Sequence, residues 1–225
     1  MSASAGHAHM LRLLLASRAD TESTTPNGFT ALHLAASSGF AEAAEVLLDS
    51  GAAISAVSSR GSTALHVAVG KDHAEVARAL ARRSADLEAR TAWGETPLHV
   101  ASRAGAVAAA EALLESGAAA DLSMDDGRTS LHAAVQAGHA GVAHVLLRLR
   151  ADPATGERSG RTPLHFAAHF GSIAAAELLL IHGAKPSTRA DSGSTALDIA
   201  DKRGCQGVAA LLLERETPDF LYFLS

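Results

Sequence analysis

The chain has 225 residues, of which 48% are hydrophobic and 19% are charged, and its formal net charge is −5. This composition is typical of a globular protein, and the acidic balance argues against nucleic acid as the main partner. No run in the sequence reaches the roughly 18 apolar residues that a membrane-spanning helix needs, so no membrane association is predicted.

The sequence of residues 1–26 indicates an incomplete structural repeat that contains only the second half of the unit. The stretch GHAHMLRLLLASRAD, which begins at Gly6, closely matches GHAGVAHVLLRLRAD, which begins at Gly138. Arg12 interrupts the apolar core of the first stretch and no basic segment precedes it, which argues against a secretory signal. We expect this segment to be a cap, or the remainder of a repeat from a longer protein.

Between residues 27 and 216 one phrase occurs six times with a constant period. It reads GFTALHLAASSG from Gly28 and GRTPLHFAAHFG from Gly160, and each copy begins 33 residues after the one before. A period without insertions means that every unit packs on its neighbour in the same way, as in a solenoid. The opening glycines are Gly28, Gly61, Gly94, Gly127, Gly160 and Gly193.

Each unit predicts two helices and a projecting turn. In the fifth copy, Thr162 is suited to cap a first helix that starts at Pro163, where a missing N–H does no harm. Gly171 ends this helix, SIAAAELLLIHG has the spacing of a second helix, and AKPSTRADSG is rich in turn residues. A non-glycine residue in the left-handed conformation expected at a helix end costs up to about 1 kcal/mol. Residues in this position are Arg18, Asp72, Ser84 and Arg150.

The sequence resembles the ankyrin repeat family. The motif G-x-T-P-L-H-x-A-A, the trailing L-L-x-x-G-A and the period recur in register from about residue 6 to residue 215. The resemblance implies an all-α repeat solenoid, in which each repeat has two antiparallel helices and a β-hairpin or turn finger roughly perpendicular to them. It divides the chain into the half-repeat 1–26, six repeats over residues 27–216 and an apolar tail, residues 217–225.

Five of the 12 histidines recur three residues after the capping threonine. A side chain at that position can reach back to the start of its helix, and its ring can also bridge to the next repeat. Zinc requires all its ligands within about 2.0–2.3 Å of one ion, whereas equivalent residues on stacked helices are about 8–10 Å apart. We therefore predict structural hydrogen bonds, no metal site and no other cofactor. The five are His33, His66, His99, His132 and His165.

No residue set predicts an enzyme. Cys205 is the only cysteine and lies near a predicted helix N-terminus, a setting that can activate a thiol, but Asp198 occupies the histidine position of that repeat. The sequence contains no phosphate-binding loop, no nucleophile elbow and no pair of carboxylates on a shared face. A single cysteine excludes an internal disulfide, so a reducing compartment, the cytoplasm or the nucleus, is expected.

The partner-binding surface is expected where the repeats differ, because residues that stack must repeat. By the family's binding pattern, residues that flank the turn glycine or end the first helix line a concave face. These positions include the only tryptophan and several arginines, which are enriched in interface hot spots. Packing on its neighbouring turn is the alternative role for Trp93. The predicted contacts are Phe29, Arg60, Trp93, Glu95, Arg103, Arg128, Arg161, His169 and Phe170.

The sequence predicts a monomeric, non-catalytic interaction module or adaptor that binds a protein partner through this face. Trp93 and Arg128 are expected to contribute to one binding surface. The alternative is a regulatory or targeting domain of a larger protein, of the kinase-associated, ubiquitin-ligase or channel type, which the incomplete first repeat favours.

The tail TPDFLYFLS contains an uninterrupted apolar run from Phe220 to Leu224. An exposed run of this kind promotes aggregation, and the open end of a solenoid needs a cover. If the tail covers the last repeat, burial of Phe220 and Phe223 contributes roughly 1.5–3 kcal/mol each. Deleting residues 218–225 should then lower the melting temperature measured by circular dichroism and increase aggregation. An unchanged melting temperature in a monomeric truncated protein would instead make the tail a docking peptide or the start of a further domain.

Overall fold

The computed structural model describes residues 20–216, so the predictions for residues 1–19 and for the tail 217–225 lie outside the described residues. The described chain divides between Ala119 and Ala120 into two compact units, called here the N-terminal half and the C-terminal half. Each half contains three helix pairs. The predicted all-α repeat architecture is confirmed.

The N-terminal half is built of short helices in two layers. First helices pack on first helices and second helices pack on second helices. The first helices are α1 (Ala31–Ser37), α3 (Ala64–Val69) and α5 (Pro97–Ala104), and the second helices are α2 (Ala41–Asp49), α4 (Ala74–Arg82) and α6 (Val107–Glu115).

The C-terminal half repeats the same arrangement. Its first helices are α7 (Ser130–Gln136), α9 (Pro163–Phe170) and α11 (Ala196–Arg203), and its second helices are α8 (Ala140–Arg148), α10 (Ile173–Ile181) and α12 (Gln206–Glu216). None of the helices between residues 20 and 216 is long and apolar enough to span a membrane.

The periodic leucines form the core of each half. Leu32 of a first helix and Leu47 of a second helix are at most 2% exposed, and their counterparts in the following repeats are equally buried. Leu197 in the last first helix is the exception, since it is only half-buried. Burying each of these leucines contributes roughly 1.5–3 kcal/mol of transfer free energy.

The predicted fingers are tight turns, and an isolated bridge between Ser123 and Thr129 is the only strand pairing in the described part of the chain. In a typical turn the N–H of Thr91 donates to the carbonyl oxygen of Glu95 at 3.0 Å. Successive turns within a half are also joined, as where the N–H of Ala92 donates to the carbonyl oxygen of Arg60 at 3.0 Å. The turns therefore form a continuous hydrogen-bonded edge in each half.

The turn glycine is required for two reasons, as Gly127 shows. Its φ is 86°, in the left-handed region that strains other residues. A Cβ atom at this position would also lie 2.7 Å from the backbone nitrogen of Arg158 in the next turn. Glycine thus permits both the turn and the close approach of its neighbour.

Four of the five recurring histidines make the predicted hydrogen bonds both within and between repeats, and His99 makes the bonds to its own capping Thr96. At the start of α7, the backbone N–H and the hydroxyl of Thr129 donate to Nδ1 of His132 at 3.2 and 3.0 Å. Because a backbone N–H can only donate, Nδ1 is unprotonated and the neutral ring carries its proton on Nε2. Nε2 then donates to the carbonyl oxygen of Arg161 in the next repeat at 3.0 Å. The same set of bonds is made by His33, His66 and His165.

Acidic side chains make a second link between neighbouring repeats. Oε1 of Glu88 accepts from the backbone N–H of Ala119 at 2.7 Å, which is 31 residues further along the chain. The same link joins Glu22 to Ala53 and Asp121 to Asp152, each at 2.9 Å. These bonds provide acceptors for backbone N–H groups in the segments that follow the second helices.

Asp72 makes a link of its own. It has a φ of 58°, and its Oδ1 accepts a hydrogen bond of 2.8 Å from the backbone N–H of Ala109 in α6. The N-cap residue of α6 is Ala106, which has no side chain able to cap. Asp72 of the preceding repeat therefore caps the helix in its place. The left-handed conformation is confirmed at this position and at Ser84 and Arg150.

Replacing Asp72 and Arg150 by glycine should separate strain from capping. Arg150→Gly relieves left-handed strain and should raise the free energy of unfolding by up to about 1 kcal/mol. Asp72→Gly relieves the same strain but loses the cap of α6, so it should be roughly 0.5–2 kcal/mol less stable than Arg150→Gly. Urea unfolding followed by circular dichroism measures both. Equal stabilisation by the two substitutions would show that the bond to Ala109 contributes nothing.

Candidate functional site

The predicted contact residues occupy two kinds of position in each half. One kind flanks the turn glycine and the other lies at the end of a first helix, and together these positions are called here the variable face. Long side chains bring the two kinds together, because residues eight apart meet along the first helix. Glu95 contacts Arg103 in the N-terminal half and Arg128 contacts Gln136 in the C-terminal half.

In the N-terminal half, Trp93 projects from its turn. Its side chain is 55% exposed, and the guanidinium carbon of Arg60 in the preceding turn lies 5.8 Å from its ring centroid. A cation over an indole face is attractive and limits the motion of both side chains. Trp93 thus contacts its neighbouring turn and still presents a large apolar surface.

Glu95 and Arg103 form an ion pair in which the two residues differ in exposure. Nε of Arg103 donates to Oε1 of Glu95 at 2.8 Å, and Nη2 donates to Oε2 at 3.3 Å. This hydrogen bonding raises the pKa of Arg103. Glu95 is only 8% exposed, and its carbonyl oxygen accepts from Nε2 of His66. Glu95 therefore positions Arg103 and offers little surface of its own, whereas Arg103 is exposed.

Phe29 is half-buried, which reduces its share of the surface. Its ring stacks on that of His33 with a centroid separation of 5.4 Å and an interplanar angle of 5°. Together with Asn27, Ser58, Ser59 and Arg60 it lines a shallow cleft of about 200 Å³ between two turns.

The C-terminal half contains a groove of about 330 Å³ on its variable face. The turns before α7 and α9 and the ends of these helices form its walls. Four predicted contacts, Arg128, Arg161, His169 and Phe170, converge in it. The other lining residues are Asp126, Gln136, Glu157 and Phe166.

Two lining residues, Glu157 and Phe166, were not singled out from the sequence as contacts. Each differs in residue type from the equivalent positions of the other repeats, and this difference could have marked it in the sequence. The position of Glu157 is Thr, Ser, Thr, Met or Ala in the other repeats, and the position of Phe166 is aliphatic.

Arg128 is engaged on two sides. Its Nε donates to Oδ2 of Asp126 and its Nη1 to Oε1 of Gln136, both at 2.7 Å. Burial raises the pKa of Asp126, but hydrogen bonds from the backbone and side chain of Arg128 outweigh burial and lower it overall. This arginine and this aspartate neutralise each other at the rim of the groove.

Arg161 lies between an anion and an aromatic ring. Its Nε donates to Oε1 of Glu157 at 2.9 Å, and its guanidinium carbon is 5.0 Å from the centroid of Phe166. Burial raises the pKa of Glu157, but hydrogen bonds from Ser159 and Arg161 prevail and lower it to about 2. Glu157 is therefore ionised at all physiological pH values and holds Arg161 in place.

An aromatic cluster forms the floor and one edge of the groove. Phe166 is buried, and Phe170 is 49% exposed with its centroid 6.4 Å from that of Phe166. The His169 ring meets Phe170 edge-on at 4.8 Å. Burial lowers the pKa of His169, and the charges of Arg203 and Arg161 lower it further.

The described residues that could hold a metal ion or act as a nucleophile lie apart from one another. In this part of the chain no three His, Cys, Asp or Glu side chains are grouped so that they could hold a metal ion. Cys205 is half-buried as a free thiol, and Asp198 forms a capping box with Thr195 through bonds of 2.8 and 3.0 Å.

Comparisons with known proteins agree with this architecture. The family described as "Ankyrin repeats (3 copies)" matches residues 1–91, 83–156 and 149–220. Among the solved structures that match is the ankyrin repeat domain of Bcl-3, described as a unique member of the IkappaB protein family. It is 28% identical, the match covers 92% of this chain and 91% of that one, and the TM-score is 0.79. No curated protein matches the sequence.

Proposed function

Because the chain belongs to the ankyrin repeat family, we propose that it is a non-catalytic interaction module that binds a protein partner through its variable face. Ankyrin repeats are generally protein–protein interaction modules, and their repeated scaffold leaves the non-stacking positions free to specify a partner. The similarity to the Bcl-3 domain supports a module of this kind.

One observation carries the proposal: each half exposes a large aromatic side chain on the variable face. Trp93 is 55% exposed in the N-terminal half and Phe170 is 49% exposed in the C-terminal half. Exposed aromatic residues surrounded by polar groups are typical of binding surfaces, and tryptophan is among the most frequent hot-spot residues. Contacts with Arg60 and with His169 already hold these two rings, so little further ordering is needed on binding.

Alanine substitutions of Trp93 and Phe170 test the face, with Ile181→Ala as the matched control. Ile181 is 67% exposed on α10, a second helix outside the variable face. Proteins recovered with the unsubstituted chain by affinity purification and mass spectrometry should be depleted with both aromatic variants and retained with the control. For a purified partner, loss of a hot spot of about 2 kcal/mol should raise the Kd about 30-fold.

Circular dichroism checks that the three variants keep the same helical signal. If both aromatic variants bind the partner with unchanged Kd, the variable face is not the binding surface. Loss of binding in the Ile181→Ala control alone would move the site to the second helices.

A further inference from the structure

We propose that the groove in the C-terminal half binds an acidic side chain of an extended protein segment, with the Arg161 guanidinium as its receptor and Phe170 as the contact for an adjacent apolar side chain. This inference rests on the proposed function and adds the chemistry of the partner. The observations behind it are the geometry of Arg161, the contrast with Arg128 and the distribution of charge.

Arg161 is held in position with one edge open. Glu157 accepts its Nε at 2.9 Å, Phe166 lies beneath the guanidinium at 5.0 Å, and the backbone carbonyl accepts from His132 at 3.0 Å. Within residues 20–216 no protein acceptor bonds to Nη1 or Nη2, and the side chain is 42% exposed. The edge of a guanidinium formed by Nη1 and Nη2 presents two parallel N–H donors, which match the two oxygens of a carboxylate.

Arg128 is poorly suited to the same role. Its Nε and Nη1 already donate to Asp126 and Gln136 at 2.7 Å, and breaking these bonds would offset the gain from a new partner. Arg161 is thus the arginine of this groove that can donate to an anion through its outer N–H groups without breaking an existing hydrogen bond.

Charge around the groove is opposite to that of the whole chain. The chain carries 19 basic and 24 acidic residues, whereas the variable-face positions of the C-terminal half, taken with the groove lining, hold four basic and two acidic residues. Both acidic residues are paired with an arginine of the groove. The remaining positive charge attracts and orients an acidic segment. The basic residues are Arg128, Arg161, Lys202 and Arg203, and the acidic ones are Asp126 and Glu157.

The apolar half of the site is the exposed ring of Phe170. It lies beside the ring of His169 and next to the buried Phe166. An aliphatic or aromatic side chain next to the bound carboxylate would cover this ring and remove its apolar surface from water. The groove therefore fits an acidic residue beside an apolar one, in an extended segment.

A random dodecamer peptide-display library selected on the full chain tests the proposal. Enriched peptides should contain Asp or Glu adjacent to an apolar residue. Arg161→Gln should weaken the Kd of the best synthetic peptide about tenfold or more, because a charged bidentate hydrogen bond is lost. Arg158→Gln is the matched control, since it removes the same charge from the same turn outside the groove, and it should leave the Kd unchanged.

Two further measurements keep the test independent of the folding of a single variant. Replacing the acidic residue of the peptide by its amide should weaken binding to the unsubstituted chain as strongly as Arg161→Gln does. Arg161→Lys keeps the charge but lacks the paired donors. Its Kd for the peptide should therefore lie between those of the unsubstituted chain and of Arg161→Gln. A dodecamer of deoxythymidine should neither bind nor displace the peptide.

The outcomes separate this inference from the proposed function. Peptides that are enriched without acidic residues, or that ignore Arg161→Gln, would overturn the acidic-segment proposal and leave the interaction module standing. Binding of the oligonucleotide that depends on Arg161 would replace the protein carboxylate by a phosphodiester. Failure to enrich any peptide would also overturn the acidic-segment proposal, whereas the proposed function is decided separately by the affinity purification with the Trp93 and Phe170 variants.

Discussion

The structure depends on one hydrogen-bonded unit, a neutral imidazole that joins two repeats. Nδ1 of His132 accepts from the backbone and hydroxyl of Thr129, while Nε2 donates to the carbonyl oxygen of Arg161. The same ring thus closes the start of its own helix and holds the turn that follows. Each ring bonds to a carbonyl oxygen 29 residues further along the chain, and the constant period of 33 residues keeps this separation the same in the repeats of His33, His66, His132 and His165.

This link also explains how a rigid scaffold presents variable side chains. In the four bonds between repeats described above, the carbonyl group that accepts from the histidine ring belongs to the residue directly after the turn glycine. That residue is a position of the variable face. His66 holds Glu95 and His132 holds Arg161, each through the backbone. The bond fixes where the side chain starts and leaves its chemical nature free. On the proposed binding face the side chains therefore start from fixed backbone positions, which would reduce the entropy cost of association.

The periodicity of the sequence made most of the fold predictable. It could not predict which side chains contact each other on the variable face. The histidine bonds and the left-handed residues repeat, or replace repeated residues, so the sequence places them directly. Which side chains pair within the variable face depends on rotamers of long residues that do not repeat. The burial of Glu95 under Arg103 and the engagement of Arg128 by Gln136 are examples. The cap that Asp72 provides for α6 comes from an aspartate where the other full repeats have glycine, so no recurring pattern pointed to it.

Burial of the His132 ring has a measurable effect on its pKa and on the pH dependence of stability. It lowers the pKa of His132 from 6.5 to about 4, which the Arg161 carbonyl only partly opposes. The unfolded chain therefore binds a proton at a higher pH than the folded one. The stabilisation is complete above pH 6.5 and is lost as the pH falls toward 4. The loss at acid pH amounts to roughly 3 kcal/mol for this residue.

Two-bond ¹H–¹⁵N NMR of the histidine rings, recorded from pH 7.5 to 4, tests the claim directly. A His132→Gln variant identifies the signals of His132 by their disappearance. The account predicts a neutral ring with its proton on Nε2 that takes up a second proton only near pH 4, together with a free energy of unfolding that declines below pH 6.5. A ring that carries its proton on Nδ1 at neutral pH, or that titrates near 6.5 without loss of stability, would contradict the account.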